Sequence, residues 1–203
     1  MGATHKGMLM VVSGPSGTGK GTLCDMLLKN DPNMRFSVSV TTRQARDYER
    51  EGVHYYFVSD AEYDEMLEKD LLLEHATVHG HRYGTPRKPV EALLDQGFDV
   101  LLDIDPQGAR MVIEHCPEAV SVFILPPSWK TLRERLYTRN TEDSAEIEKR
   151  LRNARGEVET LNCYDYAVVN EEGEEGKRRA YEAIRTIVEA ERHATTRYFP
   201  VIE

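Results

Sequence analysis

The sequence has 203 residues, 40% of them hydrophobic, with 35 Asp and Glu against 26 Lys and Arg and a formal net charge of −9. That length and apolar content suit one compact domain with a real core and exclude disorder over most of the chain. The acidic balance argues against a nucleic-acid polymer as partner, because backbone affinity comes from many basic groups displacing counterions, whereas a small anion needs only a local cationic pocket.

Around Lys6 there is no apolar run long enough for a signal-peptide core, and nothing later approaches a membrane span. Cys24, Cys116 and Cys163 are odd in number and form no Cys-x-x-Cys pair, so a reducing, cytoplasmic setting with no membrane partner is expected. The run Met8-Leu-Met-Val-Val-Ser13 reads as a strand buried on both faces, closed by the glycine-rich Gly14-Pro-Ser-Gly-Thr-Gly-Lys20, with a helix predicted over 21–30.

Between 36 and 84 the pattern changes to alternating, polar-rich segments at 36–40 and 54–58, which predicts an inserted mixed or antiparallel β lobe. Ser59-Asp-Ala-Glu62 has the capping-box spacing, so a short helix should begin at Asp60. His75, within a strand-like stretch at 71–78, and His79 and His81 just after it read as loop histidines beside the inserted lobe rather than as a metal set. Further on, helices are predicted at 88–96, 128–139, 143–161 and 177–193, and buried strands at 98–104, 119–125 and 166–169. The last helix carries one apolar stripe, Ala180, Ile184, Ile187 and Val188. This alternation predicts an α/β domain with a mostly parallel sheet flanked by helices.

Residues 14–20 carry the first chemistry. Between a strand and a helix, glycines let successive backbone N–H groups converge on one anion, and Lys20 adds a positive charge near the β and γ phosphates of a nucleotide. Gly14, Pro15, Ser16, Gly17, Thr18, Gly19, Lys20, Gly21 and Thr22 form the expected nucleotide-binding set. Gly21 stands where Ser or Thr usually offers a hydroxyl to magnesium, so the magnesium candidates are Thr22, one place later, and Asp103 at the end of its strand, directly or through water.

The insertion supplies a second cluster. Arg43, Arg46 and Tyr55 suit a phosphate through charge-assisted hydrogen bonds. Each alone reads as a solvated charge or ordinary packing; their combination beside a phosphate loop points to a second nucleotide pocket.

Gly-Pro-Ser-Gly-x-Gly-Lys20, Ser37-Val-Ser-x-Thr-Thr-Arg43-x-x-Arg46, Tyr83-Gly-Thr85 and Leu102-Asp-Ile-Asp-x-Gln-Gly108 together make the chain, from Met8 to the last helix, resemble the guanylate kinases. The resemblance implies a P-loop nucleoside-monophosphate-kinase fold within one domain over 1–203. Its core would be 8–35, 98–130 and 166–194, its GMP-binding lobe 36–86 and its helical lid about 137–160. It implies reversible transfer of the ATP γ-phosphoryl group to GMP or dGMP with magnesium, in purine nucleotide metabolism. It places Ser39, Arg43, Arg46, Tyr55, Glu74, Tyr83, Thr85 and Asp105 around GMP and Asn170 near the adenine of ATP. Lys20, Arg43, Arg135, Arg139 and Arg150 would act on the transferring group.

Guanine presents donors at N1 and N2 where adenine has none, so Glu74 can accept both while Ser39 or Thr85 serves the remaining polar edge. A carboxylate facing adenine would be left unpaired. Ala45 and Tyr48 stand where that family usually has proline and glycine, which puts the loop's rigidity in question and leaves its contacts in place. Two other readings are an inactive interaction module of the same fold and a kinase for another monophosphate; Lys20 argues against the first, Glu74 and Asp105 against the second. Monomer and homo-oligomer are both open.

Overall fold

A computed structural model describes residues 6–78, 80–138 and 144–197. Five parallel strands form the central sheet in the order β2-β7-β1-β8-β9: β1 Leu9–Ser13, β2 Met34–Phe36, β7 Asp99–Asp103, β8 Val120–Leu125 and β9 Tyr166–Val169. β1, β7 and β8 are buried along nearly their whole length because both faces are covered, whereas the predicted buried strand at 166–169 is corrected: β9 lies at the sheet edge and buries only Val168. From β1, Met10 and Val12 join Leu23, Leu27 and Ile184 on one side, among α1 (Lys20–Asn30) and α7 (Gly173–Arg192). Leu9 and Val11 join Val90, Leu94 and Val112 on the other, among α3 (Arg87–Asp95) and α4 (Pro106–His115). The predicted stripe of the last helix supplies Ala180, Ile184 and Val188 to the first of these cores.

Strand order reverses around β1, which pairs with β7 on one side and β8 on the other. Open parallel sheets bind ligands outside the carboxyl ends of the strands at such a switch point. There β1 runs into Gly14 and β7 ends at Asp103.

The insertion forms a second, four-stranded sheet in the order β4-β3-β6-β5: β3 Val40–Thr41, β4 Tyr56–Phe57, β5 Leu72–Val78 and β6 His81–Pro86. It is mixed, with β3 parallel to β4 and antiparallel to β6. The predicted strand 36–40 is corrected: Phe36 ends β2 of the core sheet, the Ser37 amide still donates to Leu101 O, and the lobe sheet starts only at Val40. The predicted strand 54–58 shrinks to Tyr56–Phe57. The helix α2 (Asp60–Glu68) starts where predicted, with Ser59 and Glu62 making both capping-box hydrogen bonds.

Helix α4 was not predicted. Asp105 caps it through the Gly108 amide and Pro106 opens it, and it packs on β5, joining core to lobe. The helices α5 (Trp129–Thr138) and α6 (Ser144–Val158) form a separate apolar cluster of Leu132, Leu136, Ile147, Leu151 and Ala154. No helix of the described residues is long and apolar enough to cross a membrane.

Candidate active site

The loop after β1 curls as its glycines allow. Gly19 has φ +88° at the N-cap of α1, and a Cβ there would come 2.5 Å from the Asn170 side-chain nitrogen, so both backbone and space require glycine. Inside the loop the buried Thr18 hydroxyl donates to Pro15 O at 2.8 Å, while Lys20 Nζ donates to Gly14 O at 2.6 Å. The lysine thereby spans the loop it opens from, with its ammonium held at the mouth of a cleft of about 1100 Å³.

Lys20, Gly21, Thr22, Asp25, Asp103 and Asp105 line that cleft from the core, and Lys149, Arg150, Asn153 and Glu157 from α6. Arg150 donates to the Ser16 hydroxyl at 3.3 Å, so α6 touches the glycine-rich loop after β1 directly. Burial raises the Asp103 carboxyl above its ordinary range, with nearby Lys20 pulling it back; burial also raises Asp105 and Glu157. A Cβ on Gly21 would sit 3.7 Å from Asp103 Oδ2, so that carboxylate faces the first turn of α1 beside Thr22.

A second cavity, of about 250 Å³, lies between the two sheets and is lined by Ser39, His54, Tyr55, Glu74, Tyr83, Asp103 and Asp105 among others. Tyr55, Val78, Asp103, Ile104 and Asp105 line both cavities, so the two join end to end. Glu74, on β5, is 3% exposed and accepts from the Thr85 hydroxyl at 2.6 Å. Burial pushes its carboxyl up to about 7; the Thr85 hydrogen bond opposes this and the Asp105 charge adds to it. The result is a buried hydrogen-bond acceptor in the wall of a small slot lined by both apolar and polar side chains.

Of the expected residues, Lys20, Thr22, Tyr55, Asp103, Asp105 and Arg150 gather around the cleft, and Ser39, Tyr55, Glu74, Tyr83 and Asp105 around the slot. Thr85 lines neither and reaches the slot through Glu74. Arg43 and Arg46 also line neither. Arg43 donates to the Tyr83 hydroxyl at 3.3 Å and forms a two-pronged ion pair with Glu49, and Arg46 donates to the Tyr48 hydroxyl at 2.9 Å. Arg135 donates to Asn170 O at 2.9 Å and Glu171 O at 3.1 Å, and lines a third cavity of about 360 Å³ with Gly17, Gly19 and Asn170. In that cavity Asn170 donates to Thr18 O at 2.7 Å, while its Oδ1 is buried without a partner. Arg139 and His79 lie outside the described residues; the loop reading of His75 and His81 is corrected, since they sit on β5 and β6.

Sequence reasoning missed Glu49, which holds the arginine loop by also accepting from the Arg46 amide at 2.8 Å. This supplies the rigidity that Ala45 and Tyr48 put in question. It also missed Asn153 and Glu157, although their spacing from Arg150 puts the three on one face of α6.

The guanylate kinase family model matches residues 6–191. A guanylate kinase of Clostridioides difficile is 44% identical over 197 residues, covering 97% of this chain and 94% of that protein. One of a Chelativorans species is 50% identical over 190 residues, covering 93% and 85%. A crystal structure of guanylate kinase from Anaplasma phagocytophilum superposes with a TM-score of 0.80 at 36% identity, covering 98% of this chain and 93% of that one.

Proposed function

The chain belongs to the guanylate kinase family, and from that premise we propose that it transfers the γ-phosphoryl group of ATP to GMP or dGMP, giving ADP and the corresponding diphosphate. The observation that carries this reading is Glu74: a buried acceptor lining a slot that shares its wall with the phosphate-loop cleft. Guanine fills such a slot with two donors toward the carboxylate, and its phosphate then points along the shared wall of Tyr55, Asp103 and Asp105 toward Lys20. Ser39 and Thr85 complete the polar edge, and Tyr55, Tyr83, Arg43 and Arg46 take the GMP phosphate.

ATP lies on the loop 14–20, its phosphates met by backbone N–H groups and Lys20. Asn170 lines the neighbouring cavity, to which the adenine of ATP is assigned. Arg150 and Arg135 stand on either side of the loop, positioned to offset charge on the transferring group. Arg139 is assigned the same role on the strength of the family alone. The domain division into core, lobe at 36–86 and lid at about 137–160 belongs to this reading, as does a cytoplasmic location.

The attacking group needs no protein base, because a phosphate monoester with a second pKa near 6 is largely deprotonated at neutral pH. Catalysis by the chain is therefore positioning, charge neutralisation and exclusion of water by α6. Thr22 and Asp103 offer hard oxygen donors in one cleft, the chemistry magnesium takes alongside water and phosphate oxygens. Magnesium bound with ATP neutralises charge on the β and γ phosphates. Incubation with γ-labelled ATP and GMP tests the reading: the label should appear in the β-phosphate of GDP. Label recovered only as inorganic phosphate, or retained in ATP, would overturn it.

A further inference from the structure

Gly108 is the third residue of α4, at an ordinary helical φ, where glycine weakens a helix relative to alanine. Nothing in its own backbone calls for glycine. The reason lies across the packing between α4 and β5. A Cβ at position 108 would come 2.2 Å from Glu74 Oε2 and 2.9 Å from its Cδ, far inside contact distance. The Glu74 carboxyl is thus pressed against the bare first turn of α4, with Thr85 Oγ1 donating to its other oxygen at 2.6 Å. The Gly108 amide, meanwhile, donates to Asp105 Oδ1 at 3.0 Å. One residue without a side chain meets both carboxylates assigned above to GMP, yet lines neither cavity.

We propose that Gly108 is a positioning residue for guanine recognition: its missing side chain creates the recess that fixes the Glu74 carboxyl, and so sets GMP affinity without touching GMP. The proposal rests on the GMP reading of the slot. A methyl group at position 108 must displace Glu74, because the helix backbone behind it is anchored by the Asp105 cap. The effect runs through the GMP side alone, since the phosphate loop and the Asn170 cavity are built from other elements.

The test is a four-protein cycle: the unchanged chain, Gly108→Ala, Glu74→Ala and the double variant, measured by steady-state kinetics, calorimetric GMP binding and thermal unfolding. In the unchanged chain, absence of GMP turnover would sink the functional reading itself, separately from this inference. With turnover present, Gly108→Ala should raise the KM for GMP about tenfold or more while the KM for ATP stays within about twofold. Its unfolding midpoint should fall. In the Glu74→Ala background the same change should instead raise the midpoint, because alanine is the better helix former once the carboxylate is gone. That sign reversal is readable even if Gly108→Ala alone folds too poorly for kinetics. An unchanged KM for GMP in Gly108→Ala, or an equal loss of stability in both backgrounds, would overturn the proposal.

Discussion

Glu49 accepts from both ends of the Arg43 guanidinium, at 2.9 Å and 2.8 Å, with side-chain exposures of 5% and 13%. The Arg43 Nε donates to the Tyr83 hydroxyl and Nη1 also donates to Gln44 O. A guanidinium has five N–H groups. With four engaged by described residues, GMP can be met through at most one unless Glu49 yields. Glu49 therefore fixes where Arg43 stands, and through the Arg46 amide it fixes the loop as well.

Replacing Glu49 by Gln should raise the KM for GMP by about tenfold, the cost of losing roughly 1.4 kcal/mol of charge-assisted orientation, and leave the KM for ATP unchanged. A lower KM for GMP would show that Glu49 competes with the phosphate instead of presenting its partner. The Arg43 hydrogen bonds hold the Glu49 carboxyl at about 2, below its usual value of 4.5. A depressed carboxyl pKa stabilises the fold above pH 4.5, and that contribution is lost as pH falls toward 2. Acid unfolding should accordingly separate the unchanged chain from Glu49→Gln above pH 4.5, with the gap closing below it.

Glu74 gives the opposite sign. Its carboxyl, raised by burial to about 7, must be ionised to accept two donors from guanine. The KM for GMP should therefore fall as pH rises through 7, while the KM for ATP stays flat. In Glu74→Gln only the shallower dependence from the GMP phosphate, near pH 6, should remain. A raised carboxyl pKa stabilises the fold fully below 4.5 and loses that contribution as pH climbs through about 7. Glu74→Gln should then be the more stable protein at pH 8, by on the order of 3 kcal/mol at 1.36 kcal/mol per pKa unit. Parallel pH profiles for the two proteins would contradict this.

Arg150 bridges from α6 to Ser16 and lines the same cleft as Lys20. Arg150→Ala should lower kcat by about 10²–10³ with a small change in either KM, the signature of an interaction made chiefly in the transition state. A large rise in the KM for ATP with unchanged kcat would make Arg150 a ground-state binder.

The legible parts of the molecule were those fixed by local pattern. β1, β7 and β8 are near-continuous apolar runs because both faces are covered, whereas β9, at the sheet edge, buries only Val168; α2 starts where its capping box says. Residues 36–40 misled because alternation looks the same whichever sheet it serves. Phe36 belongs to the core sheet and Val40 to the lobe, a division set by pairing partners distant in the chain. Helix α4 was obscured because Asp105-Pro106, a good cap and first residue, was read only as part of a binding motif. At the site, Lys20 and Glu74 were legible from chemistry and resemblance. Glu49 and Gly108 were not, since each matters through another residue's side chain: Arg43, six residues away in the same loop, for one, and Glu74, on β5, for the other.

The choice of acceptor tests whether a guanine-reading slot feeds a phosphate-loop cleft. ADP release from ATP and magnesium should be compared for GMP, dGMP, AMP, CMP and UMP, with Lys20→Ala as the control that keeps the fold and removes the loop cation. The account predicts turnover with GMP and dGMP and a kcat/KM for AMP lower by about 10³ or more, as expected when a buried acceptor is left unpaired. Lys20→Ala should be nearly inactive at an unchanged unfolding midpoint. Comparable turnover with AMP, or full activity in Lys20→Ala, would contradict it.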